Sequence, residues 1–452
     1  MNSEKIGVKP ADILIPRSDL DFYKWAVVAC DQYTSQPKYW QKVDRLVGEA
    51  HSTLHLVLPE IYLQEEEKQR KKRIENINQS MEEYLKEGIL VEKKSAMIYL
   101  KRKISQTDFR QGLVLAVDLE KYDYTSGSQT LIRATEGTIL NRIPPRLQVR
   151  EGASIELPHI MLLIDDPRRT VIEFLAEKTD ELEKIYDTNL MMNGGHLDGY
   201  LIQDSKIVNQ ILGSFEKLID SEFFAKKYGI DSQKYKPLLF ATGDGNHSLA
   251  TAKAHWEKLK KNLSKGKRED HPARWALVEV VNVHDQALEF EPIHRVLFRV
   301  EPTKMIKEMK FYFKDQGLET KIVYTNSLTE TKEKLRKLKQ KNCHLLPFQF
   351  QSQYGILVIN NPGFNLPVST LQDYLDYFLE ENPQSEIDYV HGEEIVDNLS
   401  SQEGNIGFYL PAMDKNDLFK TVILDGSLPR KTFSMGEAEQ KRFYFEARKI
   451  IK

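Results

Sequence analysis

The sequence predicts a mixed α/β (α+β) protein built from more than one subdomain. Three observations predict it. Apolar segments of strand length alternate with stretches of helical period. At 452 residues the chain exceeds what a single core usually accommodates, since cores stop growing near ~250–300 residues. Composition is ordinary for a globular chain, with 40% hydrophobic and 29% charged residues.

The elements follow in order. Residues 65 to 88 place Ile74, Ile77, Met81, Tyr84 and Leu85 on one face and stop at Gly88, as an amphipathic helix does. "AMIYLKR", "GLVLAVDL" and "IELPHIMLLI" read as strands, separated by turn-rich pieces such as "YTSGSQ". Helices are expected over 172 to 186 and 205 to 226, flanking the strand "GYLIQD". Before that strand, "NGGHLDGYLI" reads as a tight hairpin around Gly194 and Gly195. "PLLFA" is a short buried strand, and a helix follows Gly245 with Leu249, Ala252, Trp256 and Leu259 on one stripe.

From 273 the chain is strand-rich. Residues 302 to 340 are rich in Lys and Glu, with helices at "TKMIKEMKFYF" and "TETKEKLRKLKQ" around a strand at "TKIVY". "IGFYLPA" to "TVILD" reads as strands, and a capping box at Ser434 to Glu437 predicts a last helix over 435 to 451. The expected partition is a main region 1–300, a smaller α/β subdomain 301–385, and a C-terminal piece 386–452 packing back on the main region.

Net charge is -3 and the pI is near 6.5, so nucleic acid is not the expected partner. The two cysteines, Cys30 and Cys343, have no CxxC or CxxH neighbour, which fits a reduced, cytoplasmic protein without a disulfide framework or structural zinc. No apolar run approaches the ~18 residues of a membrane span. The basic run at 258 to 268 reads as a solvated helix end and loop.

Chemistry concentrates in "LLFATGDGNHSLATAKAHWEKL", where a strand hands over to a helix at Gly243-Asp244-Gly245-Asn246-His247-Ser248. A helix start offers unpaired N–H groups and the positive end of the dipole, and glycines admit a ligand's oxygens to the backbone. That favours a phosphate or carboxylate. Asp244 then either accepts a proton from a hydroxyl or holds a divalent cation such as Mg²⁺. The plainer alternative makes Asp244 or Asn246 the helix N-cap.

"IRATEGTILNRIPPR" supplies Arg133, Arg142 and Arg146 for bidentate anion capture, with Glu136 as orienter, base or metal ligand; a solvated loop with surface ion pairs is the alternative. "EPIHRVL" supplies His294 as acid/base and Arg295 as clamp, or a structural histidine. "ACDQYTSQPKYW" shows no neighbouring histidine that would mark a nucleophile. Lys431 and Ser434 are weaker candidates for a second anion contact.

The segments "GDGNHSLATA", "EPIHRVL", "IRATEGTILNRIPPR" and "LPRKTFSMGEAEQKRFYFEARKI" together resemble the uncharacterised bacterial family known as domain of unknown function 1015. The resemblance runs over nearly the whole chain. Members usually carry Asp-Gly-His-His-Arg where this chain has Asp244 to Ser248, a pattern similar to the phosphate-binding turn of the ParB and sulfiredoxin superfamily. That superfamily includes a free-serine kinase using a nucleotide. The resemblance implies a ParB/sulfiredoxin-like strand-turn-helix core, phosphates at the helix N-terminus, Asp244 assisting a hydroxyl, and Asp31 and Tyr33 lining the pocket. Ser248 in place of the usual Arg removes a cation and weakens the expectation of a nucleotide. The family's association with serine biosynthesis implies serine or phosphoserine as substrate.

The function expected is phosphoryl transfer or phosphate-ester hydrolysis on a small phosphorylated metabolite, with Asp244, His247, Glu136 and His294 as catalytic candidates. Gly243, Gly245, Asn246, Ser248, Arg133, Arg142, Arg146 and Arg295 would hold phosphate. The alternative is a nucleotide-binding, ParB-like switch without turnover.

Overall fold

A computed structural model describes residues 3–104, 109–339 and 342–452. The fold is mixed α/β, and the chain divides into two compact units: Met1–Leu288 with Gly436–Lys452, and Glu289–Met435.

The first unit is built on an 11-stranded sheet among the described residues. From one edge its main path runs Tyr122–Asp123, Ile132–Arg133, Phe240–Asp244, Met161–Ile164, Trp275–Asn282, Phe109–Asp118, Leu90–Lys103, His196–Ile202 and Glu183–Asn189. The central strands Met161–Ile164 and Trp275–Asn282 are buried along their whole length, as their continuous apolar runs require. They pair in parallel, and Trp275–Asn282 pairs antiparallel with Phe109–Asp118 on its other side. One face carries a core that includes Trp25, Trp40, Ile98, Val114 and Phe445. The opposite face carries Leu113, Leu162, Phe215 and Phe240, and there the helix Asn246–Lys260 lays down Leu249, Ala252 and Trp256.

Several elements differ from the sequence reading. Residues 172 to 186 form a 3-10 segment, Glu173–Glu181, followed by the strand Glu183–Asn189, which pairs with His196–Ile202 in the expected hairpin. Residues 205 to 226 form two helices, Ser205–Leu218 and Ser221–Tyr228, the second capped by Asp220. The expected last helix is absent. Residues 442 to 450 run extended, bridging Val28 to Phe443 and Leu14 to Ala447, and Arg448–Lys449 pairs with Ile155–Glu156. The reason is a period of two: Arg442, Tyr444, Glu446 and Arg448 alternate with Phe443, Phe445 and Ala447, and all seven are buried. Ser434 lies in the two-residue strand Phe433–Ser434, while the capping box is Glu437 with Gln440 on one 3-10 turn.

The second unit is an antiparallel sheet in the order Glu319–Thr325, Gln353–Asn360, Cys343–Phe350, Ile406–Phe408, His294–Phe298, Glu386–Val390. This joins the stretches 301–385 and 386–435, because His294–Phe298 pairs with both Glu386–Val390 and Ile406–Phe408. The boundary therefore falls at 288 rather than 300. "TVILD" belongs to the helix Lys415–Leu424, whose Leu418, Phe419, Val422 and Ile423 are buried at helical spacing. No helix among the described residues is long and apolar enough to cross a membrane.

Candidate functional site

The strand Phe240–Asp244 runs parallel to Ile132–Arg133 and antiparallel to Met161–Ile164, and ends where its register with Met161–Ile164 shifts between Thr242 and Asp244. Gly245 then turns the chain at φ +76°, where an added Cβ would stand 3.0 Å from the Ile160 backbone. Only glycine fits there without strain. Gly245 is itself the N-cap of the helix Asn246–Lys260, and among the described residues no side chain caps the first-turn N–H groups. Neither Asp244 nor Asn246 fills the capping role, so the plainer reading of those residues falls. Asp244 Oδ1 accepts from the Gly245 N–H at 2.8 Å, and Oδ2 faces the Lys441 ammonium at 3.4 Å.

The arginine-rich segment meets this turn. The Thr135 hydroxyl donates to the Thr242 carbonyl (2.6 Å) and the Thr242 hydroxyl to the Arg133 carbonyl (3.1 Å), which lays the following residues along the motif. The Ile139 N–H donates to His247 Nε2 at 3.3 Å, leaving Nδ1 as the protonated nitrogen of the neutral ring. Burial, then the Arg146 and Arg142 guanidiniums, pull the His247 imidazole down to about 4, against an opposing pull from Asp31. Asp31, Arg142, Arg146 and His247 thus share one neighbourhood. Arg142 is exposed, and no carboxylate pairs with it among the described residues. Arg146 is partly neutralised: Glu60 accepts from its Nε at 2.7 Å, and its Nη1 donates to the Arg142 carbonyl at 2.7 Å. Two polar atoms beside the turn, Asn246 Oδ1 and Thr138 Oγ1, are buried without a hydrogen-bond partner among the described residues.

The sequence reading missed His159. Its Nε2 lies 2.9 Å from the Ser248 hydroxyl and 4.0 Å from Asp31 Oδ2, and its Nδ1 lies 2.8 Å from the Tyr444 hydroxyl. Tyr444 also accepts from the Cys30 N–H at 3.1 Å. Burial, followed by Asp31 and Glu60, pushes the Cys30 thiol well above its ordinary range, so it is not a thiolate at neutral pH. His159 stands ahead of a strand in "PHIMLLI" and Tyr444 inside an apparent helix, so neither was marked by a spacing signal. Lys441 was hidden for the same reason.

A buried charge network anchors the tail that delivers Lys441. Arg442 donates to Glu279 and Glu446 at 2.5 Å each, and Glu446 accepts from the Tyr186 hydroxyl. Burial pushes Glu279 up, but the Arg442 and Arg110 guanidiniums outweigh it and hold the carboxyl below its usual range. Arg102 Nη2 donates to the Glu439 carbonyl (2.9 Å) and Arg110 Nη1 to the Gln440 carbonyl (3.1 Å), clamping the residues just before Lys441. Burial, then Arg110, pulls Arg102 down to about 9.

Other candidates are used elsewhere. Arg133 is buried and donates to the Thr130 and Lys236 carbonyls at 2.8 Å, tying a loop to the sheet edge rather than reaching a ligand. His294 and Arg295 lie in the second unit and are buried there: His294 Nδ1 accepts from the Leu410 N–H (3.0 Å), and Arg295 donates to Gln372 Oε1 (3.0 Å) and the Ile293 carbonyl (2.6 Å). These contacts correct their expected roles as clamp and acid/base. Tyr33 stacks on Tyr39 with ring centroids 3.7 Å apart, and its hydroxyl donates to Glu439 at 3.4 Å. Glu136 is half-buried in the loop that follows Ile132–Arg133.

The donors around Asp244 do not make an all-protein Mg²⁺ cage; a Mg²⁺ there would take most of its octahedral oxygens from water and substrate phosphate. The two Asp244 oxygens face an N–H and an ammonium. Among the described residues the group of three with ligand spacing is Asp187, His196 and Asp198, and there Lys184 Nζ already sits 2.8 and 3.0 Å from the two aspartates.

The first unit therefore presents an uncapped helix N-terminus, with an arginine, a histidine and a carboxylate held around it, on a mixed α/β scaffold. The chain belongs to the family described as "Protein of unknown function (DUF1015)", whose model matches residues 9–378. No curated protein matches it. Among solved structures it is similar to a conserved hypothetical protein from Pyrococcus furiosus (TM-score 0.36, 11% identity, 77% of this chain and 97% of that chain covered). It is also similar to a free serine kinase in complex with AMP (TM-score 0.37, 10% identity, 76% and 93% covered) and to SbnI with C-terminal truncation from Staphylococcus aureus (TM-score 0.34, 8% identity, 72% and 83% covered). None of these likenesses is close enough to carry an activity across.

Proposed function

We propose that the chain is an enzyme acting on a small phosphorylated metabolite, by phosphoryl transfer or phosphate-ester hydrolysis, at the Gly243–Ser248 turn. One observation carries this reading: the helix Asn246–Lys260 begins with no side-chain cap, beside an Arg142 guanidinium that no carboxylate pairs among the described residues. Orphan N–H groups and an unpaired cation make a place where phosphate oxygens are favoured. The buried, unpartnered ends of Asn246 and Thr138 support it, since each costs about 1–3 kcal/mol unless a ligand meets it.

In this reading the first-turn N–H groups and Arg142 receive the phosphoryl oxygens, and His247 donates from Nδ1 as a neutral ring. Ser248 supplies a hydroxyl held by His159. Asp244 accepts the proton of the attacking water or alcohol, and the Lys441 ammonium faces its Oδ2. Glu136 is the second carboxylate within the same loop system. Such chemistry rests on positioning and charge neutralisation. Serine and phosphoserine, implied by the family resemblance, are the first substrates to try.

The experiment is phosphate release from phosphoserine and a panel of phosphate esters, with Mg²⁺, by the wild type and Asp244→Asn. Turnover abolished in the variant supports the reading. Nucleotide binding without turnover of any ester would replace it with a ligand-responsive switch.

A further inference from the structure

Beside the motif helix lies a cavity of about 150 Å³. Its walls include Leu56, Leu58, Leu63, Met81, Val149 and Leu157, and Ser248 of the proposed phosphate site lines it as well, beside Arg146. Interiors close-packed like this one leave few voids larger than a water molecule. A space of this size with apolar walls, opening beside an anion site, has the character of a ligand pocket.

Both carboxylates at the cavity are already paired. Glu60 pairs with Arg146, and Glu156 pairs with Arg150 at 2.5 Å and with Arg448 at 2.9 Å. Glu156 also accepts from the Leu277 N–H at 2.9 Å. The ammonium of an amino-acid portion entering here would meet no free carboxylate among the described lining residues and would lose its hydration without compensation. An apolar group loses nothing, and a dry cavity of ~150 Å³ holds a benzene ring.

We infer that the substrate of the proposed site carries an aryl or compact branched-alkyl group, which fills this cavity while its phosphate meets the N-terminus of the helix Asn246–Lys260. The inference rests on the phosphate reading above and refines it: the ester partner is apolar rather than an amino acid.

The test is calorimetric titration of the full-length protein with inorganic phosphate, O-phosphoserine, phenyl phosphate and phenol. The cavity-filling variants Ala153→Leu and Val149→Phe are run alongside, and circular dichroism identifies whichever remains folded. Phenyl phosphate is expected to bind at least ~10-fold tighter than phosphate and phosphoserine, as burial of a ring from water should give. A folded filling variant should remove that advantage and keep its affinity for phosphate. Equal affinities for phosphate and phenyl phosphate would overturn the apolar-group inference and leave the phosphate site standing. Phenol binding that a filling variant abolishes, with no binding of any phosphate, would keep the cavity as an apolar ligand site and overturn the phosphate reading. No binding of any of the four would overturn both.

Discussion

The Ser248 hydroxyl and the Tyr444 hydroxyl lie on opposite nitrogens of one buried imidazole, 2.9 Å from His159 Nε2 and 2.8 Å from His159 Nδ1. Through that ring the start of the motif helix is tied to the C-terminal tail. Tyr444→Phe removes both the partner of His159 Nδ1 and the acceptor of the Cys30 N–H. Two buried polar groups are then left unpaired, and the expected loss is about 1–3 kcal/mol in urea unfolding.

Asp244→Asn should leave the fold intact. The carboxamide oxygen still accepts from the Gly245 N–H, and the ion pair to Lys441 is long and partly solvated, worth less than ~1 kcal/mol. The loss belongs to turnover, read as phosphate release, with unfolding midpoints of the two proteins nearly equal.

Gly245→Ala should cost about 1–2 kcal/mol from the left-handed backbone alone. The new methyl would also press on Ile160 and rotate the first helical turn. Thermal unfolding measures the first effect, and a weaker affinity for sulfate measures the second.

Arg442→Met leaves Glu279 and Glu446 buried without their shared cation. The expected destabilisation is about 3–5 kcal/mol, far more than a surface charge removal gives. Guanidinium unfolding beside a Lys258→Met control separates the two cases.

The His247 imidazole is held low in the free protein, near 4, so at neutral pH it is uncharged. An anion bound beside it favours the protonated ring and raises that value. Between the two values binding takes up a proton, so affinity for the fixed dianion sulfate should rise as pH falls from 7 toward 4. His247→Gln should flatten the dependence. Stability moves the other way: a low folded value means the unfolded chain takes up the proton first, so this contribution is present above about 6.5 and is lost as pH falls to about 4.

Periodicity made the motif region legible. The strand Phe240–Asp244, the glycine turn and the stripe Leu249, Ala252 and Trp256 all follow from local pattern, because each is decided within a few residues. The tail was misread for a physical reason. "EQKRFYFEARKI" has good helix formers and a helix-start signature, yet its buried arginines and glutamates find partners at Glu279, Glu156 and Tyr186, which no local window contains. Arg133, His294 and Arg295 show the converse. Their residue types suit anion binding, but burial turned them to backbone carbonyls, an N–H and an amide. Long-range pairing also hid His159 and Lys441, which reach the turn only once the sheet has formed.

The most direct measurement is the position of a bound tetrahedral anion, located by its anomalous signal in crystals of the full-length protein soaked in tungstate. The account predicts a peak within hydrogen-bond reach of the first-turn N–H groups of Asn246–Lys260 and of the Arg142 guanidinium, lost in Arg142→Ala. An empty turn, with tungstate found only along the basic run 258 to 268, would contradict it.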